Sequence, residues 1–318
     1  MKPDLMASAA PTAGAPARAA RSNVSQTVAD VLSLVKPRIA FFVVLASFTG
    51  GLLGAGSLAA APRALLAALG IGAVAGASAA FNQILERDLD RLMRRTADRP
   101  LPAGRLTARD ATIFAGLLAL GGTAILTLWF PPLTAVLALS TLVAYTLVYT
   151  PLKRYTSFNT LVGAIPGAMP PLLGHVALAG EPGVWGWILF GVIFAWQFPH
   201  FLAIAWMYRE DYRRAGMKML PALDDVEGLT GRQAFLYGLV LLPISLLPAL
   251  RGEAGWLYAT VAVALGFVYV GAAASFALRE SRTAARATLY ASLVYLPLLF
   301  AAAIFDPVVF QTLIASTP

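Results

Sequence analysis

The sequence contains no cysteine among its 318 residues, and only 13% of its residues are charged. The absence of cysteine excludes disulfide bonds, thiolate metal sites and cysteine nucleophiles. The scarcity of charge, together with a 58% share of hydrophobic residues, excludes an ordinary water-soluble domain, because so apolar a chain cannot cover its surface with polar groups. A lipid bilayer is therefore the expected solvent of this chain.

Apolar runs of about 20 residues, the length that crosses a bilayer, recur from Ile39 onward. They predict an all-α polytopic membrane protein with nine transmembrane helices. The predicted spans lie near 39–59, 64–84, 111–130, 132–149, 160–179, 184–206, 233–250, 256–278 and 288–308. The third and fourth spans meet at Pro131 and Pro132, which favours a tight helical hairpin because proline starts helices better than it continues them. One long kinked helix is the alternative.

The net charge of +8 does not indicate nucleic-acid binding, because the basic residues are distributed by side of the membrane. With these spans, 22 of the 24 Lys and Arg fall in the amino-terminal segment and the even-numbered loops, and only Arg63 and Arg251 fall on the other side. The positive-inside rule predicts a cytoplasmic amino terminus and an external carboxyl terminus. The expected location is the bacterial inner membrane, or the mitochondrial inner membrane if the source is eukaryotic.

Residues 1–35 are rich in Ala, Ser, Pro and Arg and contain no long apolar stretch. This composition predicts a disordered cytoplasmic tail in front of a transmembrane domain that occupies 36–318. It does not match a secretory signal, whereas an Arg-rich mitochondrial transit peptide is the alternative.

The loop after the second span carries far more charge than a connection requires. Asn82, Glu86 and Asp90 are spaced four residues apart, so they form one polar stripe at the cytoplasmic end of the helix. Three neighbouring oxygen donors suit Mg²⁺, which takes one or two carboxylates and completes its shell with water and phosphate oxygens. Asp88 lies off that stripe and would enter the site only from a loop. The alternative is a solvated helix end whose arginines contact lipid headgroups.

Two further segments predicted on the cytoplasmic side repeat this concentration of charge. Glu210 and Asp211 follow span six, flanked by arginines, and offer a second pair of metal ligands. The short loop after span four holds Lys153 and Arg154 near the membrane surface, where they would neutralise a phosphate. As an alternative, two basic residues in such a loop are ordinary topology signals.

His200 lies within span six, about two turns from its charged end. It follows Pro199, whose missing N–H loosens the helix, and it is surrounded in sequence by Trp196, Phe198, Phe201 and Trp206. These surroundings suit a flat apolar macrocycle. A packing role is the alternative for a histidine in a membrane.

Span five contains Pro166, Pro170 and Pro171 together with three glycines. Proline bends a membrane helix and glycine permits close approach of a neighbour. The span is therefore predicted either to shape an internal cavity or to pack closely without one.

These motifs together resemble the prenyltransferases of the UbiA superfamily, and most closely its heme-directed members. The resemblance depends on Asn82-x3-Glu86-x-Asp88-x-Asp90 and the arginines after it, on the segment 149–154, on 159–171 and on 196–221. Glu86 stands where the superfamily usually has Asp, and the second aspartate motif is reduced to Glu210 and Asp211. Both departures leave open how many Mg²⁺ ions bind and which carboxylate holds each.

The resemblance implies a helical bundle with a central cavity, dependence on Mg²⁺, farnesyl diphosphate as donor and heme b as acceptor. The vinyl group of heme b would be farnesylated to give heme o on the route to heme a. Heme A synthase or another heme-handling membrane protein is the implied partner, and nucleic acid is not. A prenyltransferase of the same superfamily that acts on an aromatic quinone precursor is the nearest alternative, and a transporter of anionic amphiphiles is a more distant one.

The resemblance also assigns roles to residues. The implied catalytic residues are Asn82, Glu86, Asp88, Asp90, Lys153, Glu210 and Asp211. The implied metal ligands among them are Asn82, Glu86, Asp90, Glu210 and Asp211. The implied substrate-binding residues are Arg94, Arg95, Arg99, Tyr149, Arg154, Asn159, His200, Arg209 and Arg214.

Overall fold

The computed structural model describes residues 24–223 and 228–315. Over these ranges the secondary structure is helical, with no β-strand. The first 23 residues of the predicted tail lie outside the described part of the chain.

Nine helices in the described ranges are long and apolar enough to cross a membrane, which confirms the predicted all-α polytopic architecture. They are α2 (Pro37–Ala55), α3 (Ala61–Asp90, after a short 3-10 turn at Leu58–Ala60), α4 (Ala108–Trp129), α5 (Pro132–Val143, continued by a π-helix at Ala144–Tyr149 and by α6, Thr150–Leu152), α7 (Asn159–Ala179), α8 (Val184–Met207), α11 (Leu229–Leu250), α12 (Trp256–Leu278) and α13 (Arg282–Phe305). The shorter helices are α1 (Val24–Leu34), α9 (Arg209–Arg214), α10 (Leu220–Leu223) and α14 (Pro307–Ala315).

Two boundaries position the functional residues. Helix α3 continues to Asp90, six residues beyond the predicted end of the second span, so the polar stripe stays on one helical face. Between α4 and α5 the chain leaves the helical conformation at Phe130 and Pro131, and α5 starts with Pro132. The predicted tight hairpin is therefore present, rather than one long kinked helix.

Part of the predicted tail is ordered as α1. Leu34 at its end is fully buried, and its carbonyl accepts a hydrogen bond of 2.8 Å from Gln83 Nε2 of α3. Asp30 pairs with Arg105 at 3.0 Å, and hydrogen bonds from this guanidinium lower the pKa of Asp30. The composition of residues 1–35 does not predict this helix, because its stability comes from contacts with distant residues.

Helix α7 packs closely against α2, as one of the two predictions for span five expects. A Cβ added to Gly174 would overlap the carbonyl oxygen of Ser47, and one added to Gly50 would overlap that of Pro171. Glycine at these two positions lets the backbones touch, as small residues do between membrane helices. Nearer the other end of α7, Gly163 makes room for the ring of Tyr149.

The loops predicted to be cytoplasmic meet at one end of the bundle. Lys153 contacts Glu86 at 2.8 Å, and the backbone N–H of Lys218 donates to the carbonyl of Lys153 at 2.6 Å. At the opposite end, the backbone N–H of Gly255 donates to Asp306 at 2.7 Å. This grouping agrees with the alternation of charge along the sequence.

Candidate active site

The polar stripe of α3 lies inside the bundle. Asn82, Glu86 and Asp90 are 2%, 5% and 1% exposed, respectively. They share one face because each is about one helical turn from the next. Three buried oxygen-bearing side chains in a membrane helix are costly without partners, so this face is a candidate functional site.

Two basic residues neutralise the two carboxylates. Lys153 Nζ lies 2.8 Å from Glu86 Oε1, and Arg99 Nη1 lies 2.7 Å from Asp90 Oδ2. Burial is the largest single influence and lowers the pKa of Lys153, but the Glu86 carboxylate together with Tyr149 and Tyr145 raises it above its usual value. Both pairs join residues that are distant in the sequence or lie on different elements.

Lys36 belongs to the same site, although the sequence presented it only as a topology signal. Its Nζ lies 3.5 Å from Asn82 Oδ1. Burial, and then the charges of Arg99 and Lys153, lower the pKa of Lys36 to about 8. Among the described residues other than glycine it alone has a positive φ, of 50°, directly before Pro37. Such strain in a side-chain-bearing residue is typical of functional positions.

A π-helix brings two tyrosines to this site. Tyr145 and Tyr149 have ring centroids 5.0 Å apart, and Lys153 Nζ lies 4.5 Å from the centroid of the Tyr149 ring. Thr150, at the start of α6, accepts a hydrogen bond of 3.1 Å from Asn82 Nδ2. Single π-helical turns frequently occur at functional sites because they turn side chains out of the α-helical register. Tyr145 was not predicted, although its spacing of four from Tyr149 was a usable signal.

The second charged segment contributes one carboxylate to the interior. Asp211 is 8% exposed, accepts a hydrogen bond of 3.4 Å from the backbone N–H of Arg95, and pairs with Arg214 at 2.5 Å. The guanidinium of Arg95 lies 4.9 Å from the ring centroid of Tyr208. Glu210 instead points to the surface and pairs with Arg213 at 2.6 Å.

Several predicted residues lie away from the stripe. Asp88 is exposed and pairs with Arg91 at 3.2 Å, and Arg94 and Arg154 are exposed. Arg209 lies over the ring of Trp206, 4.1 Å from its centroid.

Asn159 is fully buried and joins two of the loops at the charged end of the bundle. Its Nδ2 donates to the carbonyls of Thr156 and Lys218 at 2.6 and 2.9 Å. Its contacts connect the amino-terminal end of α7 to the segment before α10. The side chain therefore supports the arrangement of the loops.

His200 lies away from the α3 stripe, at the contact between α8 and α13. Its Nδ1 is 2.7 Å from Ser292 Oγ, and its ring stacks on Trp196 with centroids 4.8 Å apart. Two of the four aromatic residues expected around His200, Trp196 and Phe201, pack against its ring. Phe198 stacks on Tyr237 of α11, and Trp206 packs against Phe276 of α12 instead.

The donor set of the stripe fits Mg²⁺ in type and in number. Among the described residues no three acidic or histidine side chains are clustered as a metal site. Mg²⁺ does not require such a cluster, since one or two carboxylates and phosphate oxygens suffice. Glu86 and Asp90 are buried carboxylates with an amide oxygen of Asn82 beside them, and each carboxylate has lone pairs beyond the one used by its basic partner.

The sequence matches a family model described as the UbiA prenyltransferase family over residues 43–306. The chain belongs to this family. A relative named protoheme IX farnesyltransferase, from Solibacter usitatus, is 42% identical over 286 residues, which cover 87% of this chain and 98% of that protein. The UbiA match includes the α3 stripe, the π-helix and the segment that carries Asp211, whereas Lys36 lies before its first residue.

Solved structures share the fold of this UbiA-family chain. A UbiA homologue from Aeropyrum pernix K1 superimposes with a TM-score of 0.67 at 20% identity, covering 83% of this chain and 96% of that one. A UbiA homologue from Archaeoglobus fulgidus, described as bound to DMAPP and Mg²⁺, gives a TM-score of 0.59 at 14% identity, covering 87% of this chain and 99% of that one. At these identities the likeness establishes the fold.

Proposed function

We propose that this chain transfers the farnesyl group of farnesyl diphosphate to a vinyl group of protoheme IX, in a reaction that depends on Mg²⁺. The observation that carries the proposal is the buried face of Asn82, Glu86 and Asp90, opposed by Lys153 and Arg99 at one end of a membrane bundle. The acceptor is suggested by the printed name of the 42% identical relative from Solibacter usitatus.

The site suits an amphiphile with an anionic head and an apolar tail. Three cations, Lys36, Arg99 and Lys153, surround two carboxylates, so the site has surplus positive charge before any metal is counted. A diphosphate would satisfy that surplus at the end of the bundle. The farnesyl chain would then extend among the apolar helices beneath it.

The side chains have separate tasks in this mechanism. Asn82, Glu86 and Asp90 would hold Mg²⁺, which supplies charge stabilisation to the departing diphosphate oxygens. Lys153 and Arg99 add hydrogen bonds and positive charge as the C1–O bond breaks. Tyr145 and Tyr149 present aromatic faces to the electron-poor carbon, and the approach of Lys153 to the Tyr149 ring shows that this face accepts a cation.

No protein nucleophile is needed for the remaining steps. The electrons of the vinyl group attack the allylic carbon, and water captures the resulting cation as a hydroxyl group with release of a proton. The products are heme o and pyrophosphate.

The decisive experiment supplies purified protein in lipid nanodiscs with farnesyl diphosphate, Mg²⁺ and either heme b or 4-hydroxybenzoate. We expect mass spectrometry to show farnesylated, hydrated heme together with released pyrophosphate. Prenylated 4-hydroxybenzoate alone would assign the enzyme to quinone biosynthesis. Vectorial movement of the diphosphate without pyrophosphate release would make the protein a transporter.

The proposed topology places the active site on the cytoplasmic side of a bacterial inner membrane, with the amino terminus also cytoplasmic. The concentration of basic residues at this end of the bundle supports that orientation. Labelling of single cysteines, introduced into this cysteine-free sequence at Arg154 and Arg251, tests it. We expect an impermeant reagent applied from outside to label only the position of Arg251.

A further inference from the structure

A hydrogen-bond chain between α8 and α13 engages one ring nitrogen of His200. Ser292 Oγ donates to the carbonyl of Leu289 at 2.5 Å and lies 2.7 Å from His200 Nδ1. The donation to Leu289 uses the one proton of the Ser292 hydroxyl, so in this arrangement the imidazole would carry its proton on Nδ1 and a lone pair on Nε2.

The imidazole is also held in orientation by its neighbours. It stacks on the ring of Trp196 at an interplanar angle of 24°. Trp196 in turn donates from Nε1 to the carbonyl of Ser292 at 2.9 Å, and its own carbonyl accepts from the hydroxyl of Tyr269 at 2.8 Å. Ser292 is fully buried, so this framework is rigid on the side facing α12 and α13.

The other nitrogen of His200 has no such partner. No residue of the described ranges forms a hydrogen bond with Nε2, and the side chain is only half-buried. A ring nitrogen without a partner inside an apolar helix is unfavourable unless a ligand uses it. Phe201, which is 42% exposed, lies beside the ring and adds apolar surface for a flat partner.

This arrangement is the one that a metal-ligating histidine requires. Such a histidine donates one ring N–H to a fixed acceptor, which sets the tautomer and aims the other nitrogen at the metal. A phenolic acceptor would need only a hydrogen bond, and would not need the ring to be held by Ser292, Trp196 and Phe201. An iron porphyrin uses both the bare nitrogen and the aromatic surroundings.

The depth of His200 also suits an acceptor beside the diphosphate site. His200 lies seven residues before the end of α8, or roughly 10 Å along the axis, and Asn82 lies eight residues before the end of α3, or roughly 12 Å. Both helices end at the same end of the bundle, where Asp211 contacts Arg95. An iron bound at His200 and a diphosphate bound at Asn82 would therefore lie at similar depth.

We propose that Nε2 of His200 ligates the iron of the acceptor porphyrin, and that Ser292 is the positioning residue that aims it. This inference rests on the proposed function, because it takes heme b as the acceptor. It adds the binding mode of that acceptor and the face of the bundle that receives it.

The test is a titration of purified protein in nanodiscs with heme b, without prenyl donor, followed by absorption and electron paramagnetic resonance spectra. We expect a histidine-ligated spectrum in the unmodified protein and in His175→Asn, which removes the other histidine. His200→Ala should lose that spectrum and recover it with added imidazole. Ser292→Ala should weaken heme affinity by about 10-fold or more.

Metal-free protoporphyrin IX separates ligation from packing. It should bind the unmodified protein and His200→Ala with equal affinity, whereas heme b should bind His200→Ala more weakly. If His200→Ala lost the same affinity for both porphyrins, the proposal would be overturned. An unchanged heme spectrum in His200→Ala, with heme still farnesylated by the unmodified protein, would overturn the ligation and leave the proposed function intact. If the unmodified protein prenylates only a phenol, the proposed function fails and the ligation proposal fails with it.

Discussion

Lys153 and Glu86, which are 67 positions apart in the sequence, form an ion pair of 2.8 Å with side chains only 12% and 7% exposed. The pair joins the loop after the fourth span to the polar stripe of the second. It therefore fixes which loops share an end of the bundle. It also places a cation where a leaving diphosphate would carry its charge.

The first prediction concerns the stability of this pair. Glu86→Gln or Lys153→Met alone leaves a buried charge unpaired and should destabilise the protein by about 3–5 kcal/mol. The double variant removes both charges, so its loss of stability should be about 1–3 kcal/mol smaller than the sum of the losses in the two single variants. Denaturation of the purified protein in detergent measures all three. Strictly additive losses would mean that the two side chains do not interact.

The second prediction separates residues of the stripe from acids beside it. Asp90→Asn should reduce turnover by at least about 100-fold, because it removes a buried ligand charge. Asp88→Asn, two positions away but exposed and paired with Arg91, should leave turnover within about 2-fold. Mass spectrometry of the product measures turnover, and expression and membrane insertion are compared by immunoblot. Equal loss in both variants would contradict the assignment.

The third prediction compares a buried with an exposed carboxylate in the second charged segment. Asp211→Asn should reduce turnover by about 10-fold or more, because Asp211 anchors the backbone of Arg95 beside the site. Glu210→Gln is its matched control, since Glu210 is exposed and pairs only with Arg213. Steady-state kinetics with farnesyl diphosphate measure both variants. A larger effect of Glu210→Gln would show that the surface carboxylate turns inward when substrate binds.

The fourth prediction uses glycine to move one aromatic ring. A Cβ in Gly163→Ala would overlap the ring of Tyr149, so the ring must leave its present position 4.5 Å from Lys153 Nζ. We expect turnover to fall by about 10- to 100-fold, because small displacements of positioning groups have effects of this size. Gly121→Ala on α4 is the control, since nothing lies within 4 Å of its added Cβ. Full activity of Gly163→Ala would show that the position of Tyr149 does not matter.

The fifth prediction concerns the attachment of α1. Asp30 and Arg105 should show a coupling energy of about 0.5–1 kcal/mol in a double-mutant cycle, a modest value because Arg105 is 40% exposed to solvent. The pKa of Asp30 is lowered in the folded protein, so this contribution is present above its usual value of 3.8 and is lost as the pH falls through the lowered pKa. Hydrogen exchange of the α1 amides reports the attachment.

Arg109→Ala is the matched control for that cycle, because Arg109 is an exposed arginine four residues further along the chain. It should leave hydrogen exchange in α1 unchanged. Faster exchange in Arg109→Ala than in Arg105→Ala would contradict a specific role for the Asp30 pair.

The sequence by itself determined that the chain lies in a lipid bilayer, how many spans it has, and that Asn82, Glu86 and Asp90 share one helical face. Apolar runs of membrane length, and the concentration of basic residues in every second loop, can be seen in the order of residues along the chain. Nine spans therefore followed directly. The four-residue spacing of Asn82, Glu86 and Asp90 follows from helix geometry in the same way. Its motifs also predicted the family.

Only the tertiary structure decided which charges meet. The four-residue spacing already separates Asp88 from Asp90, but nothing local distinguishes Glu210 from Asp211, because the difference is which side of the helix faces the interior. Lys36 and the ordered α1 were missed for the same reason, since their partners lie tens of residues away. Contacts between helices depend on how the spans pack, and a spacing rule within one helix carries no information about its neighbours.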